Sequence, residues 1–213
     1  MLSFAEELLL LALDDERGDM RDLPFFSLNG ALAGAVLLEL AFLQRVDYDQ
    51  KQLTVLDSTA TNNDILDDVL AWLAKKQANL SLTDTLSILS ARAHEIRERV
   101  LKQLVARGVL KVVDKKILWV VAVRRYPAVC GTETKEIKAR LRDLVLSDEV
   151  PTPRDAVLVS LVDTCSLWPV VLTPAEEKQR EQRIRSLTKL ELMGHALRLL
   201  LHRLSAAMFI PHP

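Results

Sequence analysis

Residues 91–126 read ARAHEIRERVLKQLVARGVLKVVDKKILWVVAVRRY, a cationic amphipathic helix running into a β-hairpin. Ile96, Val100 and Leu104 recur every four residues with Leu101 beside them, which is one core-facing helical stripe. Gly108 stands where a helix C-terminus accepts a left-handed residue. Two apolar, β-branched runs follow, Val109 to Val113 and Ile117 to Val123. The tripeptide Asp114-Lys115-Lys116 between them is the predicted turn, although it lacks the Asn-Gly or Asp-Gly of the tightest hairpins. Ile117, Leu118, Trp119, Val120 and Val121 form an unbroken apolar run, more than a one-sided strand needs. Trp119 suits either a wet–dry interface or a lid on the core.

Charge sets this region apart. Residues 91–142 hold 14 Lys/Arg and 5 Asp/Glu, net +9, whereas residues 1–90 hold 6 and 15, net −9. Residues 143–213 hold 8 and 9, which completes the whole-chain 28 and 29. A nearly neutral chain is thus strongly polarised along its length. Two readings are open: a basic face for an anionic partner, or a basic segment packed against the acidic one in pairs of small individual worth.

At 213 residues the chain is long enough for a proper core. Apolar residues are 49% and charged residues 27%, as in ordinary globular proteins, and only 6 Gly and 8 Pro point to a mainly helical fold. Cys130 and Cys165 lie in apolar surroundings without metal-type spacing and read as buried free thiols. The opening apolar run is short and flanked by acids, unlike a signal peptide. Ala31 to Leu43 is interrupted by Glu39 and too short to cross a bilayer. Any membrane contact is therefore expected from the surface.

Elsewhere the chain reads as capped helices. Ser3-x-x-Glu6 is a capping box ahead of Leu8 to Leu13, with Gly18 as the expected stop. Asn29 is the expected cap of GALAGAVLLELAFLQR, apolar nearly all round and so central. Asp47 to Asp57 alternates weakly, as a short edge hairpin would. Asp64 to Lys76, Leu82 to Leu89 and Thr134 to Leu146 read as amphipathic helices. Thr152-Pro153-Arg154-Asp155 and Thr173-Pro174-Ala175-Glu176 combine a cap, Pro at the first helical position and an acid at the third. They predict helices at about 153–166 and 174–187, before a last one from Leu190 to Met208. Composition shows no boundary, so residues 1–213 read as one domain.

Catalytic constellations are missing. There is no G-x-S-x-G, H-E-x-x-H, Walker loop or dinucleotide fingerprint. His195 and His202 lack a third metal ligand. Glu6 with Glu7, and Asp67 with Asp68, are sequence neighbours that point apart on a helix and read as capping or solvated carboxylates. Neither an enzyme, a metal nor a cofactor is expected.

Three blocks, LSFAEELLLLALDDERG, NGALAGAVLLELAFLQRV and EIRERVLKQLVARGVL, resemble signature blocks of the Golgi phosphoprotein 3 family, in order and at compatible spacing over residues 2–146. DAVLVSLVDTCSLWPVVL resembles a later helix more loosely. The resemblance implies a mostly α single domain: a central helical bundle surrounded by amphipathic helices, with a projecting β-hairpin. It implies a peripheral adaptor on the cytosolic membrane face, at the Golgi in a eukaryote. Such an adaptor binds phosphatidylinositol 4-phosphate, engages cytosolic tails of membrane proteins and self-associates through the hairpin run 117–121. The chain lacks the basic N-terminal tail of eukaryotic members, as a compact bacterial relative would.

Carried over by position, the second arginine of the family's paired arginines is Arg97, and the first is replaced by His94. The arginine of the glycine-flanked helix falls on Ala33, and the loop tryptophan falls on or near Pro24, with Phe25 beside it as a hydrophobic anchor. A phosphomonoester wants several converging donors, so these departures remove most of the clamp. Arg92, Arg97, Arg99, Lys102, Arg124 and Arg125 would still attract anionic lipid, at about 1 kcal/mol for each residue held near the surface. For Arg97 the competing expectation is a salt bridge to an acid of the N-terminal half.

A rival reading takes LVARGVLKVVDKKILWVV as the end of a winged-helix domain with a basic recognition helix. Against it, Glu95 and Glu98 would face phosphates, and such a domain needs only half the chain. No nucleic acid is therefore expected. A third reading is a scaffold with no lipid activity.

Overall fold

The first helix, α1 (Phe4–Ala12), is buried along all nine residues, which makes it a core element rather than a surface one. Its start is fixed locally: the Glu6 N–H donates to Ser3 Oγ at 3.3 Å and the Ser3 N–H donates to Glu6 Oε2 at 2.7 Å. The computed structural model describes residues 1–24, 27–48, 53–76, 81–117, 121–147, 150–176 and 183, with the side chains of 27, 115–117 and 121–123 outside that description. Beside α1 lie two further helices buried along most of their length, α2 (Ser27–Phe42) and α7 (Pro153–Thr164). The three pack on one another and form the centre of the bundle.

Around that centre sit helices with a single apolar stripe. These are α3 (Asp64–Lys75), α4 (Leu82–Ala91), α5 (Ala93–Ala106) and α6 (Thr132–Leu146). The stripe of α5 consists of Ala93, Ile96, Val100, Leu101 and Leu104, as its spacing predicts. Asn63, Ser81 and Thr152 cap α3, α4 and α7 through their side chains, each sitting just ahead of the apolar period it starts. The fold is thus mostly α with two small hairpins, β1 (Val46–Tyr48) with β2 (Leu53–Val55), and β3 (Val113–Ile117) with β4 (Val121–Arg125). A one-turn helix, α8 (Trp168–Val171), is an addition that the sequence did not announce.

Several boundaries differ from the sequence reading, each for a tertiary reason. The helix α1 ends at Ala12, because Leu13 turns extended and bridges Met20. Gly18, expected to stop α1, instead closes a separate turn through its N–H to the Asp14 carbonyl at 2.8 Å. The helix α2 starts at Ser27, two residues before the expected cap Asn29. In the second hairpin the register moves: Asp114, Lys115 and Lys116 lie within β3, opposite Arg124, Val123 and Ala122. The first apolar run does not supply that strand, because Val109 and Leu110 are drawn into the core and Leu110 bridges Ala128. Cys165 is buried as expected, but Cys130 is exposed, one residue before the left-handed Gly131 that leads into α6. Phe25, Leu118, Trp119 and Val120, and the expected helix from Leu190 to Met208, lie outside the described residues. Of the helix expected at about 174–187, the description holds only its beginning, residues 174–176, and 183.

One glycine ties α1 to the hairpin. Gly18 has φ +69, its carbonyl accepts from the Tyr126 N–H at 2.8 Å, and an added Cβ would sit 2.1 Å from the Pro127 nitrogen. Gly108 has a similar φ of +73 but open space around it. Gly18→Ala should therefore cost about 3 kcal/mol or more, backbone strain plus collision, while Gly108→Ala should cost about 1 kcal/mol, strain alone. Urea unfolding of the two variants measures the difference. Equal losses would mean the Gly18–Pro127 approach is not a constraint.

Candidate functional site

The acidic and basic segments meet in a seam of ion pairs. Arg92 Nη2 reaches Asp68 Oδ2 at 2.7 Å, and Arg99 Nη2 reaches Asp64 Oδ2 at 2.8 Å with Nη1 3.3 Å from Asp68. Glu95, on α5 itself, approaches both arginines. Further along, Arg107 pairs with Glu6, Arg125 with Asp19, Lys138 with Asp15 and Arg140 with Glu7. Arg92 and Arg99, expected to attract lipid, are thus spent largely on α3. Hydrogen bonds from Arg99 hold the Asp64 carboxyl below the ordinary range, and those from Arg92 do the same for Asp68.

Glu6 meets the expectation of a capping carboxylate, whereas Glu7 is neither capping nor solvated. Both are 3% exposed. Glu6 does cap α1, yet it also receives Arg107 Nη1 at 3.0 Å. Glu7 receives Arg140 Nη2 at 2.8 Å, and its burial pushes the carboxyl up against that pairing.

Arg97 stands apart from this seam. Among the described residues it pairs with no carboxylate; its Nη2 lies 2.9 Å from His94 Nδ1. The expected salt bridge to the N-terminal half falls to its neighbours Arg92 and Arg99, which face α3. Arg97 instead borders a cleft of about 240 Å³ with Arg21, Asp22, Pro24 and the first-turn residues Leu28 and Asn29 of α2. His94 and Arg97 are therefore brought together, and Pro24 with them. Ala33 is fully buried and contributes nothing to the cleft.

The cleft's chemistry favours an anion. The first N–H groups of a 16-residue helix have no partners within it and carry about half a positive charge. No acidic residue occupies the first turn of α2. Arg21 adds a second cation, held by Nε donation to the Leu13 carbonyl at 3.0 Å and lying 3.8 Å from Asp14. Asp22 opposes these charges. Sequence reading passes over Arg21 and takes Asn29 only as a helix cap, because the Leu13–Met20 bridge that folds this loop back is non-local.

The expected hairpin site is placed only at its ends. Ile117 and Val121 face one another as the last pair of β3 and β4. Among the described residues, no group of His, Cys, Asp and Glu could hold a metal ion, and no helix is long and apolar enough to cross a membrane.

A family model described as Golgi phosphoprotein 3 (GPP34) matches residues 4–204. No curated protein matches the chain.

The pH dependence of the seam follows from the lowered Asp64 and Asp68 carboxyls. A carboxyl lowered in the folded state stabilises it above the unfolded value, and that contribution is lost as pH falls through the folded value. Both groups are substantially exposed, so solvent screening keeps the effect small. Asp68→Asn should lower stability at pH 7 by about 0.5–1 kcal/mol and lose less than the wild type on acidification below pH 4. Urea titrations at both pH values check this; parallel losses would remove Asp68 from the linkage.

Proposed function

The chain belongs to the Golgi phosphoprotein 3 family, and on that premise we propose a non-enzymatic peripheral adaptor whose cleft at Arg97 takes an anionic phospholipid headgroup. One observation carries this reading: Arg97 faces a cleft without a carboxylate partner among the described residues, while Arg92 and Arg99 on the same helix are paired. The α2 N-terminus and Arg21 supply the additional donors that a phosphate needs. His94 and Ala33 stand where the family carries arginines, so selectivity for one phosphoinositide is weaker than general attraction to anionic surfaces. Lys102 and Lys111, exposed and without ion pairs among the described residues, extend that attraction at about 1 kcal/mol each near a surface.

In this reading Phe25 anchors at the interface beside Pro24, and the hairpin run 117–121 either enters the interface or joins copies of the chain. Cytosolic tails of membrane proteins are the cargo class. The protein works from the cytosolic face of its membrane. Against the winged-helix alternative stands the single family match spanning both its helix and its wing.

Vesicle flotation tests the proposal with neutral, phosphatidylserine and phosphatidylinositol 4-phosphate membranes. The wild type should float with both anionic vesicles and not with neutral ones, and Arg97→Glu should weaken binding about tenfold. Failure to float with any vesicle would sink the lipid reading. Binding to duplex DNA with a steep salt slope would favour the rival instead.

A further inference from the structure

His94 and Arg97, the pair beside the cleft, differ in how they hold charge. An arginine is always charged, whereas a histidine changes charge between pH 5 and 8. Their contact has a definite polarity. A guanidinium has N–H donors and no acceptor, so Arg97 Nη2, 2.9 Å from His94 Nδ1, donates to a ring nitrogen that bears no proton. The contact therefore requires a neutral imidazole with its proton on Nε2. A protonated imidazole donates from both nitrogens, so it loses the acceptor and sets two positive charges side by side.

The helix gives a protonated ring a second partner. His94 is exposed, and among the described residues its side chain has Arg97 as its one polar contact. At about 100° per residue, Arg97 and Glu98 stand to either side of His94 along α5. Arg97 borders the cleft at the start of α2, and Glu98 borders a separate cleft of about 310 Å³ with Asp114, Arg124 and Tyr126. Glu98 pairs with no cation among the described residues, since Arg124 is taken by Asp114. It lies one turn beyond His94, at the spacing of a helical ion pair.

Other charges packed against α5 are engaged elsewhere. Asp64 and Asp68 of α3 hold Arg92 and Arg99, and Glu95 lies against the same two arginines. On α4, Asp84 is bonded to Ser81; from α1, Glu6 takes Arg107 at the far end of α5. The loop before α2 brings Arg21, beside Asp14, and Asp22, both in the wall of the cleft.

We propose that His94 is a positioning residue that makes the anion site at Arg97 pH-dependent. Neutral, it occupies a donor of Arg97; charged, it turns to Glu98, releases that donor to the cleft and adds a second cation beside it. An arginine at this position would make the cation pair permanent, and histidine makes it conditional. By reciprocity, an anion in the cleft favours the charged imidazole, so proton and headgroup strengthen each other's binding. The inference rests on the headgroup reading and concerns the regulation of that site.

Vesicles of phosphatidylcholine with phosphatidylglycerol suit the test, because a phosphodiester keeps its single negative charge across the range in which histidine titrates. Flotation of the full chain is measured at pH 8 and pH 5 for the wild type, His94→Gln and His94→Arg, with a melting curve for each. Because His94 is exposed, all three should melt alike. Titration of the other histidines and of Asp22 moves the three proteins together and cancels in their ratios. The wild type should match His94→Gln at pH 8 and His94→Arg at pH 5. Its affinity relative to His94→Gln should thus rise about fivefold on acidification, as for one added charge near a surface. A ratio that stays constant while all three proteins float would overturn the role of His94 and leave the headgroup site standing. Failure of all three to float at either pH would overturn the headgroup reading and this inference with it.

Discussion

The buried pair of Arg154 with Glu39 is the interaction on which the other contacts depend. Arg154 Nη1 reaches Glu39 Oε1 at 2.9 Å, joining the start of α7 to the end of α2. The same two residues hold the start of α1: Glu39 Oε2 accepts the Phe4 N–H at 2.7 Å, and Arg154 Nη2 donates to the Leu2 carbonyl. The guanidinium also lies 4.2 Å above the Phe4 ring. Each partner alone would be an uncompensated buried charge, worth a loss of about 3–5 kcal/mol. Three central helices are thus joined at one end by a single buried polar cluster.

Neutralisation across the two charged segments is the second constraint. A chain with nine excess negative charges at its start and nine positive ones in its middle folds so that the two face each other. That pairing separates the arginines into classes that their sequence context hides. On α5, Arg92 and Arg99 meet Asp64 and Asp68, while Arg97 projects to the cleft with His94. A helix places neighbours at different angles, so one strongly basic helix holds both structural and available cations.

What was legible in the sequence was local. The capping box at Ser3, the caps Asn63, Ser81 and Thr152 and the stripe of α5 depend on residues a few positions apart. What was not legible depended on distant partners. Glu6 was readable as a cap, but the arginine partners of Glu6 and Glu7 were not, because they lie 101 and 133 residues away. The hairpin register slipped because Val109 and Leu110 look like strand residues and serve as core. His94 with Arg97 was readable at helical spacing, whereas Arg21 and Asn29 needed the loop to fold back before they could be placed.

The dipole of α2 gives these charges an order. Cations are favoured at a helix C-terminus and disfavoured at an N-terminus. Arg154 sits in the first turn of α7, an unfavourable place taken alone, yet beside Glu39 in the last turn of α2. That it is held there indicates that the Glu39 pair and the negative end of α2 outweigh the repulsion from α7, where Asp155 also helps. The negative end of α2 is therefore compensated from within the protein. Its positive end has no acid in the first turn and opens onto the cleft beside Arg97, opposed only in part by Asp22. An anion from outside would complete the balance at that end, which is the physical ground for proposing the headgroup site at the cleft rather than at the basic hairpin.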